Sequence, residues 1–152
     1  EIFQNVREVN AEGGFPMLFS MQLIIGNLNE TRKDFLETYN FVKEYKDVMS
    51  EVLTCSAFLL HEPLRKRWIN EGEKFYNFEN NVVYDTEYNT TLERLTWLDE
   101  IEQMFKDEGI NHSVYNRGVL KENLDNSNLT KVVEEEEPKP KPKPKKIIPN
   151  LI

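Results

Sequence analysis

Apolar residues in the first part of the chain recur at steps of three and four, which is the spacing of one face of an α-helix. This pattern predicts an amphipathic helix over residues 1–11, ended by Gly13 and Gly14. It also predicts a second, largely buried helix from Pro16 to Leu28, with the proline at its first position. The apolar positions that define the two faces are Ile2, Val6 and Val9, and then Leu18, Met21, Ile25 and Leu28.

The longest stretch with helical spacing begins near Phe35 and continues to Leu60, just before Pro63. Thr31, followed three residues later by Asp34, forms a capping-box pattern in front of it. A helix of about 30 residues would be roughly 45 Å long. Its apolar positions are Phe35, Tyr39, Val42, Tyr45, Met49, Val52, Ser56, Leu59 and Leu60. We therefore expect a mainly α fold, namely a helical domain with one long central helix.

The last long helix is expected from Thr90 to Glu108, and both of its ends carry local signals. Thr90 and Glu93 form a capping box, and Gly109 is placed as a C-terminal capping glycine. Between the two long helices, residues 64–71 fit a short helix. The period-two alternation that follows is compatible with a short β-hairpin near residues 75–88.

The C-terminal residues differ sharply in composition from the rest of the chain. Four glutamates are followed by strictly alternating proline and lysine from Pro138 to Lys145. Proline at every second position prevents both helix formation and sheet pairing, so an extended polyproline-II spacer is expected. At ~3.1 Å per residue, the run from Pro138 to Lys146 would span roughly 25 Å. We thus divide the chain into an acidic helical domain, residues 1–133, and an extended arm, residues 134–152.

The arm ends in an apolar segment that we interpret as a docking site for a partner. A short apolar segment at the end of a stiff spacer suits a groove or an open sheet edge on another protein. The alternative is a solubilising end without a partner, as chain termini often are. The predicted partner-binding residues of the arm are Lys146, Ile147, Ile148, Pro149, Leu151 and Ile152.

A second candidate contact is the basic cluster that runs from Arg65 to Arg67, followed by Trp68. Exposed arginine and tryptophan side chains are enriched in the energetically dominant parts of protein interfaces, so Arg65 and Arg67 are predicted partner-binding residues. The alternative is an ordinary amphipathic helix with Trp68 in the core and basic residues that neutralise nearby acid.

The net charges of the arm and of the rest of the chain limit the kinds of partner that are expected. The arm carries a net charge of +1, and residues 1–133 carry −9. Because nucleic-acid affinity depends on cationic groups that neutralise phosphates, we expect no direct nucleic-acid binding. The longest apolar stretch is shorter than the ~20 residues of a spanning helix, so no membrane span is expected. The expected partners are other protein subunits.

The residues considered for catalysis and metal binding are the two histidines and the single cysteine. His61, His112 and Cys55 show no metal-ligand spacing, so we predict no catalytic residue, no metal site, no cofactor and no small-molecule ligand. One cysteine does not require an oxidising compartment, which favours an intracellular reducing compartment or a virion. Four Asn-x-Ser/Thr sequons, at Asn29, Asn89, Asn111 and Asn128, would instead suit a secreted glycoprotein.

These features favour a non-enzymatic structural or assembly subunit of a larger complex, such as a virion component, whose arm docks on a neighbouring protein. The alternative is an acidic regulator or chaperone that covers a basic protein surface. An enzyme with a site that a single sequence does not reveal remains a third class.

Overall fold

The computed structural model describes residues 1–13, 16–56, 60 and 62–128, with only the backbone described at residues 55 and 56. Within this part of the chain, five α-helices accompany a three-stranded parallel sheet and a two-stranded antiparallel ribbon. The elements are α1 (Ile2–Ala11), β1 (Phe19–Ile25), α2 (Arg32–Glu44), β2 (Met49–Ser56), α3 (Glu62–Asn70), β3 (Phe75–Tyr76), β4 (Asp85–Thr86), α4 (Thr91–Asp107), β5 (His112–Tyr115) and α5 (Arg117–Asp125), with a short 3₁₀ turn at Lys46–Val48.

The parallel sheet has the order β1-β2-β5, so β2 is its central strand. α2 lies in the crossover from β1 to β2, and α4 lies in the crossover from β2 to β5, as parallel strands require. Paired residues in neighbouring strands share one face of the sheet. Leu23, Thr54 and Val114 form one such row, which faces the core.

The predicted mainly α fold with one long central helix is wrong. The segment expected to form that helix is divided into α2, the 3₁₀ turn and β2. Its first part keeps the predicted capping box, but α2 ends at Glu44, and Val52 and Thr54 are buried at alternate positions of a strand. β-Branched side chains favour that conformation. The apolar residues that fit helical spacing therefore belong to different elements of the fold.

The predicted second helix is also wrong, because residues 19–25 form β1. Along this strand, Met21, Leu23 and Ile25 face the core, whereas Ser20, Gln22 and Ile24 are exposed on the other side. This is a period of two, and the steps of three and four matched only some of the buried positions.

Local signals predicted the other elements correctly. α1 forms as expected, and α4 has the predicted capping box from Thr90 to Glu93 and a left-handed Gly109 with φ +66°. β3 and β4 form the expected hairpin, in which Phe75 pairs with Thr86. No strand was predicted for β5.

The core lies on one side of the parallel sheet, beneath α2, α4 and α5. Its buried residues are Ile25, Phe35, Val42, Met49, Val52, Trp97, Leu98, Ile101, Met104, Phe105, Ile110 and Leu120. A smaller cluster forms around Leu28, Leu60 and Tyr84, against which Leu64 and Trp68 of α3 pack. None of the helices in the described part of the chain has the length and apolar content needed to cross a membrane.

Candidate functional sites: an open sheet face and a groove beside α3

Within residues 1–13, 16–56, 60 and 62–128, the side of the parallel sheet that points away from the core is uncovered, and Ser20, Gln22 and Ile24 are exposed there. We call it the open face and define it by Ser20, Gln22, Ile24, Leu53, Ser113 and Tyr115. The parallel register places Gln22, Leu53 and Ser113 in one row, and Ile24 and Tyr115 at the two ends of the next. Ile24 is 52% exposed and Tyr115 is 49% exposed.

An uncovered face is unusual for a parallel sheet. Such sheets are normally covered on both faces, because their crossover connections place helices on each side. Here the described helices that pack on the sheet contribute to a single core on one side. The open face therefore exposes aliphatic and aromatic side chains on a rigid surface, which is suited to contact with another protein.

A second surface lies where β1 ends. A groove of about 200 Å³ separates the loop after β1 from α3. The residues that line it are Asn27, Leu28, Asn29, Leu64, Arg67, Trp68 and Glu71. We call it the α3 groove. Its volume is below the ~300–1,000 Å³ of small-molecule pockets, and it suits one or two aliphatic side chains.

The loop on one side of the α3 groove is held by a dense set of hydrogen bonds. Gly26 has φ +88°, and the carboxylate of Glu30 accepts hydrogen bonds from the amides of Gly26 (2.6 Å) and Asn27 (2.9 Å). Asn89 Nδ2 donates to the carbonyls of Asn27 and Glu30, each at 2.8 Å. Burial raises the pKa of Glu30, and the two amide donors oppose that shift. The groove is thus preformed on this side.

Arg94 of α4 holds Asn89 in place from beneath. Its side chain is completely buried; Nη1 donates to Asn89 Oδ1 at 2.7 Å, and Nη2 donates to Thr91 Oγ1 at 2.8 Å and to the carbonyl of Tyr84. The guanidinium also lies 4.3 Å from the centroid of the Tyr84 ring. Burial lowers the pKa of Arg94. This network links α4 to the groove loop.

The basic cluster lies on α3, on the other side of the groove. Arg67 lines the groove and donates from Nε to Glu71 at 2.8 Å. Arg65 donates to Glu62 at 3.3 Å and packs over the Phe78 ring at 4.7 Å. The structure therefore places Arg67 in the groove wall, whereas Arg65 contacts the hairpin.

The predicted docking residues of the arm, from Lys146 to Ile152, lie outside the described residues. The described chain ends at Asn128, whose amide donates to Glu79 Oε1 at 2.8 Å. Glu79 follows Phe78, and Phe78 contacts Arg65 of α3. The last described residue is thus connected to α3 by two successive contacts.

His112 and the sequon residue Asn89 both make contacts within the folded domain. His112 Nδ1 is 2.7 Å from the carbonyl oxygen of Ile110, and its ring packs on Phe105. Within the described ranges, no group of three or more histidine, cysteine, aspartate or glutamate residues could hold a metal ion. Asn89 is only 2% exposed and its amide is engaged, so this sequon is inaccessible in the folded domain.

Sequence reasoning missed the open face because it placed residues 19–25 on a helix. The signal was available, because polar Ser20 and Gln22 alternate with apolar Met21 and Leu23. Comparison of the chain with protein-family models, with curated proteins and with solved structures found no match.

Proposed function

We propose that this protein is a non-enzymatic structural or assembly subunit of a larger complex. It binds one neighbouring protein through the open face, and its C-terminal arm docks on a neighbouring protein. The observation that supports this proposal is the uncovered face of the parallel sheet, with Ile24 and Tyr115 about half exposed at either end of one row. The expected partner surface presents aliphatic or aromatic side chains.

The size of the open face favours a protein that uses more than one contact. Three strands about 4.8 Å apart, over roughly four residues of ~3.3 Å each, give an area of about 200 Å². A stable interface buries about 800 Å² on each partner, so the open face needs additional contacts. An arm that reaches a second site supplies them through effective concentration, which increases the total affinity without enlarging either surface.

The experiment compares two double variants and one single variant of the full chain with the wild type. Ile24→Glu with Tyr115→Glu places charge on the open face, and Ile148→Asp with Leu151→Asp places charge on the arm. Leu92→Glu is the control, since Leu92 is the most exposed apolar residue of α4, at 62%. Each tagged protein is purified with its complex from the cells that express it, and the partners are quantified by mass spectrometry.

In both double variants, the amount of each specific partner that co-purifies is expected to fall at least tenfold, which corresponds to a loss of about 1.4 kcal/mol in binding free energy. The Leu92→Glu control should retain these partners. Loss of the same partners from the Leu92→Glu control would show that any added charge disrupts binding. Retention of every partner by the open-face variant would contradict the proposal.

Salt separates this proposal from an acidic regulator that covers a basic protein. At about 0.5 M salt the Debye length falls to a few ångströms, which weakens contacts made by exposed charges. Contacts made by Ile24, Tyr115 and the apolar end of the arm should persist. Release of all partners at this salt concentration would favour the acidic regulator.

A further inference from the structure

We propose that the α3 groove of one copy of this chain binds the apolar end of the arm, residues 147–152, of a second copy. This inference rests on the proposed function of the arm and identifies the protein on which it docks. The chain would then associate head to tail, with each copy offering one groove and one arm.

The chemistry and size of the groove match this segment. Leu28, Leu64 and Trp68 supply an apolar floor and wall, while Asn29, Arg67 and Glu71 supply polar groups. A volume of about 200 Å³ suits one or two branched aliphatic side chains, and the arm ends in four of them. The segment has no charged side chain after Lys146, so its insertion into the groove buries no charged side chain.

Charge favours the approach of an arm to another copy of the domain. Residues 1–133 carry a net charge of −9, and the arm places five lysines directly before its apolar end. Opposite charges increase the encounter rate and orient the arm, with an effect that salt reduces.

The length of the spacer favours a second copy over the same chain. The described chain ends at Asn128, which is linked to α3 through Glu79 and the contact between Phe78 and Arg65. The spacer from Pro138 to Lys146 spans roughly 25 Å and resists folding back. The spacer therefore suits the groove of a second copy better than the groove of its own domain.

The first experiment is sedimentation velocity of the full chain over a range of concentrations from about 10 to 300 µM, where weak single-segment contacts of this kind are populated. Wild type should gain mass with concentration. Ile148→Asp with Leu151→Asp, in the arm, and Leu64→Ser, in the groove, should each weaken association at least tenfold. Ile69→Ser is the matched control, because Ile69 is exposed on the same helix and does not line the groove. Glu71→Lys provides a surface variant of the groove should Leu64→Ser unfold the domain.

Mixing two defective proteins tests the orientation of the contact. The arm variant retains its groove, and the Leu64→Ser variant retains its arm, so an equimolar mixture should form one-to-one dimers. A peptide of residues 138–152, titrated into the arm variant, should shift tryptophan emission to the blue through Trp68, since Trp97 is already buried. The same peptide with both aspartate substitutions is the control.

Four results would overturn the inference. Association that is unchanged in both variants would assign it to another surface. A peptide that leaves the emission of Trp68 unchanged would exclude the groove. An emission shift, with a wild-type chain that stays monomeric at every concentration, would show that the arm occupies its own groove. If the arm variant loses a different protein from its complex while self-association is unaffected, the proposed function stands and this inference fails.

Discussion

Two consecutive residues of β1, Ile24 and Ile25, have the same side chain and opposite surroundings. Ile25 is completely buried beneath the helices, whereas Ile24 is 52% exposed on the open face. Full burial of an isoleucine contributes about 1.5–3 kcal/mol to folding. A half-exposed isoleucine contributes less, and a binding partner can bury its remaining apolar surface. One side of the sheet therefore provides stability, and the other side is available for binding.

The largest expected effect comes from breaking the covered side. Ile25→Ala removes buried methyl groups from the core and should lower the free energy of unfolding by about 2–5 kcal/mol. Ile24→Ala is the matched control and should cost less than about 1 kcal/mol, because its side chain is half in water. Urea unfolding of the two variants measures the difference. Equal losses would mean that the open face is covered within the domain.

The second prediction compares a buried arginine, Arg94, with a surface arginine, Arg117. Arg94→Met removes the donor to Asn89 Oδ1 and one of the donors to the Tyr84 carbonyl, which should cost roughly 2–3 kcal/mol. Arg117→Met is the control, since Arg117 pairs with Asp99 at the surface, and surface pairs contribute at most about 1 kcal/mol. Urea unfolding distinguishes them, and similar losses would refute the structural role assigned to Arg94.

The smallest expected effect comes from the ion pairs that join the end of α4 to α2 and to the 3₁₀ turn. Glu108, which caps α4, accepts from Lys46 at 2.5 Å and lies 2.9 Å from Lys43 of α2. These hydrogen bonds lower the pKa of Glu108 to about 2 from its ordinary 4.5. The stabilisation is complete above pH 4.5, where the carboxylate is charged in both states, and it is lost as the pH falls from about 4.5 to about 2.

Glu108→Gln should thus lower the melting temperature slightly at pH 6 and leave it unchanged near pH 2. Glu37→Gln is the control, because Glu37 is largely exposed and its contact with Lys33 is long, at 3.6 Å. Thermal unfolding monitored by circular dichroism at both pH values measures the effect. A difference between Glu108→Gln and wild type that persists near pH 2 would contradict the assignment.

Local signals account for what the sequence predicted about the fold. The capping boxes at Thr31 and Thr90 and the turn at Gly109 depend on residues within a few positions, so the start of α2 and both ends of α4 were predictable. β1 and β2 were not predicted, because their apolar residues also satisfy helical spacing. β5 is a short, partly polar strand whose conformation depends on pairing with β2, and such a non-local contact is invisible in a single sequence.

The candidate sites were predictable to a smaller extent. The basic cluster lies on α3, where Arg67 lines the groove and Arg65 does not. The loop across the groove comes from the end of β1 and is held by Asn89, far away in sequence. The open face exists only once three strands are paired in parallel, so its residues could not be identified while two of those strands were expected to be helical.

Hydroxyl-radical footprinting of the free and the assembled protein tests most directly whether the open face is an interface. Tyr115 on the open face and Tyr76 on the hairpin are matched probes, with exposures of 49% and 47% in the free chain. In the complex purified from the cells that express the protein, labelling of Tyr115 should fall several-fold while that of Tyr76 is retained. Labelling of Tyr115 that is the same in the free and the assembled protein would contradict the account.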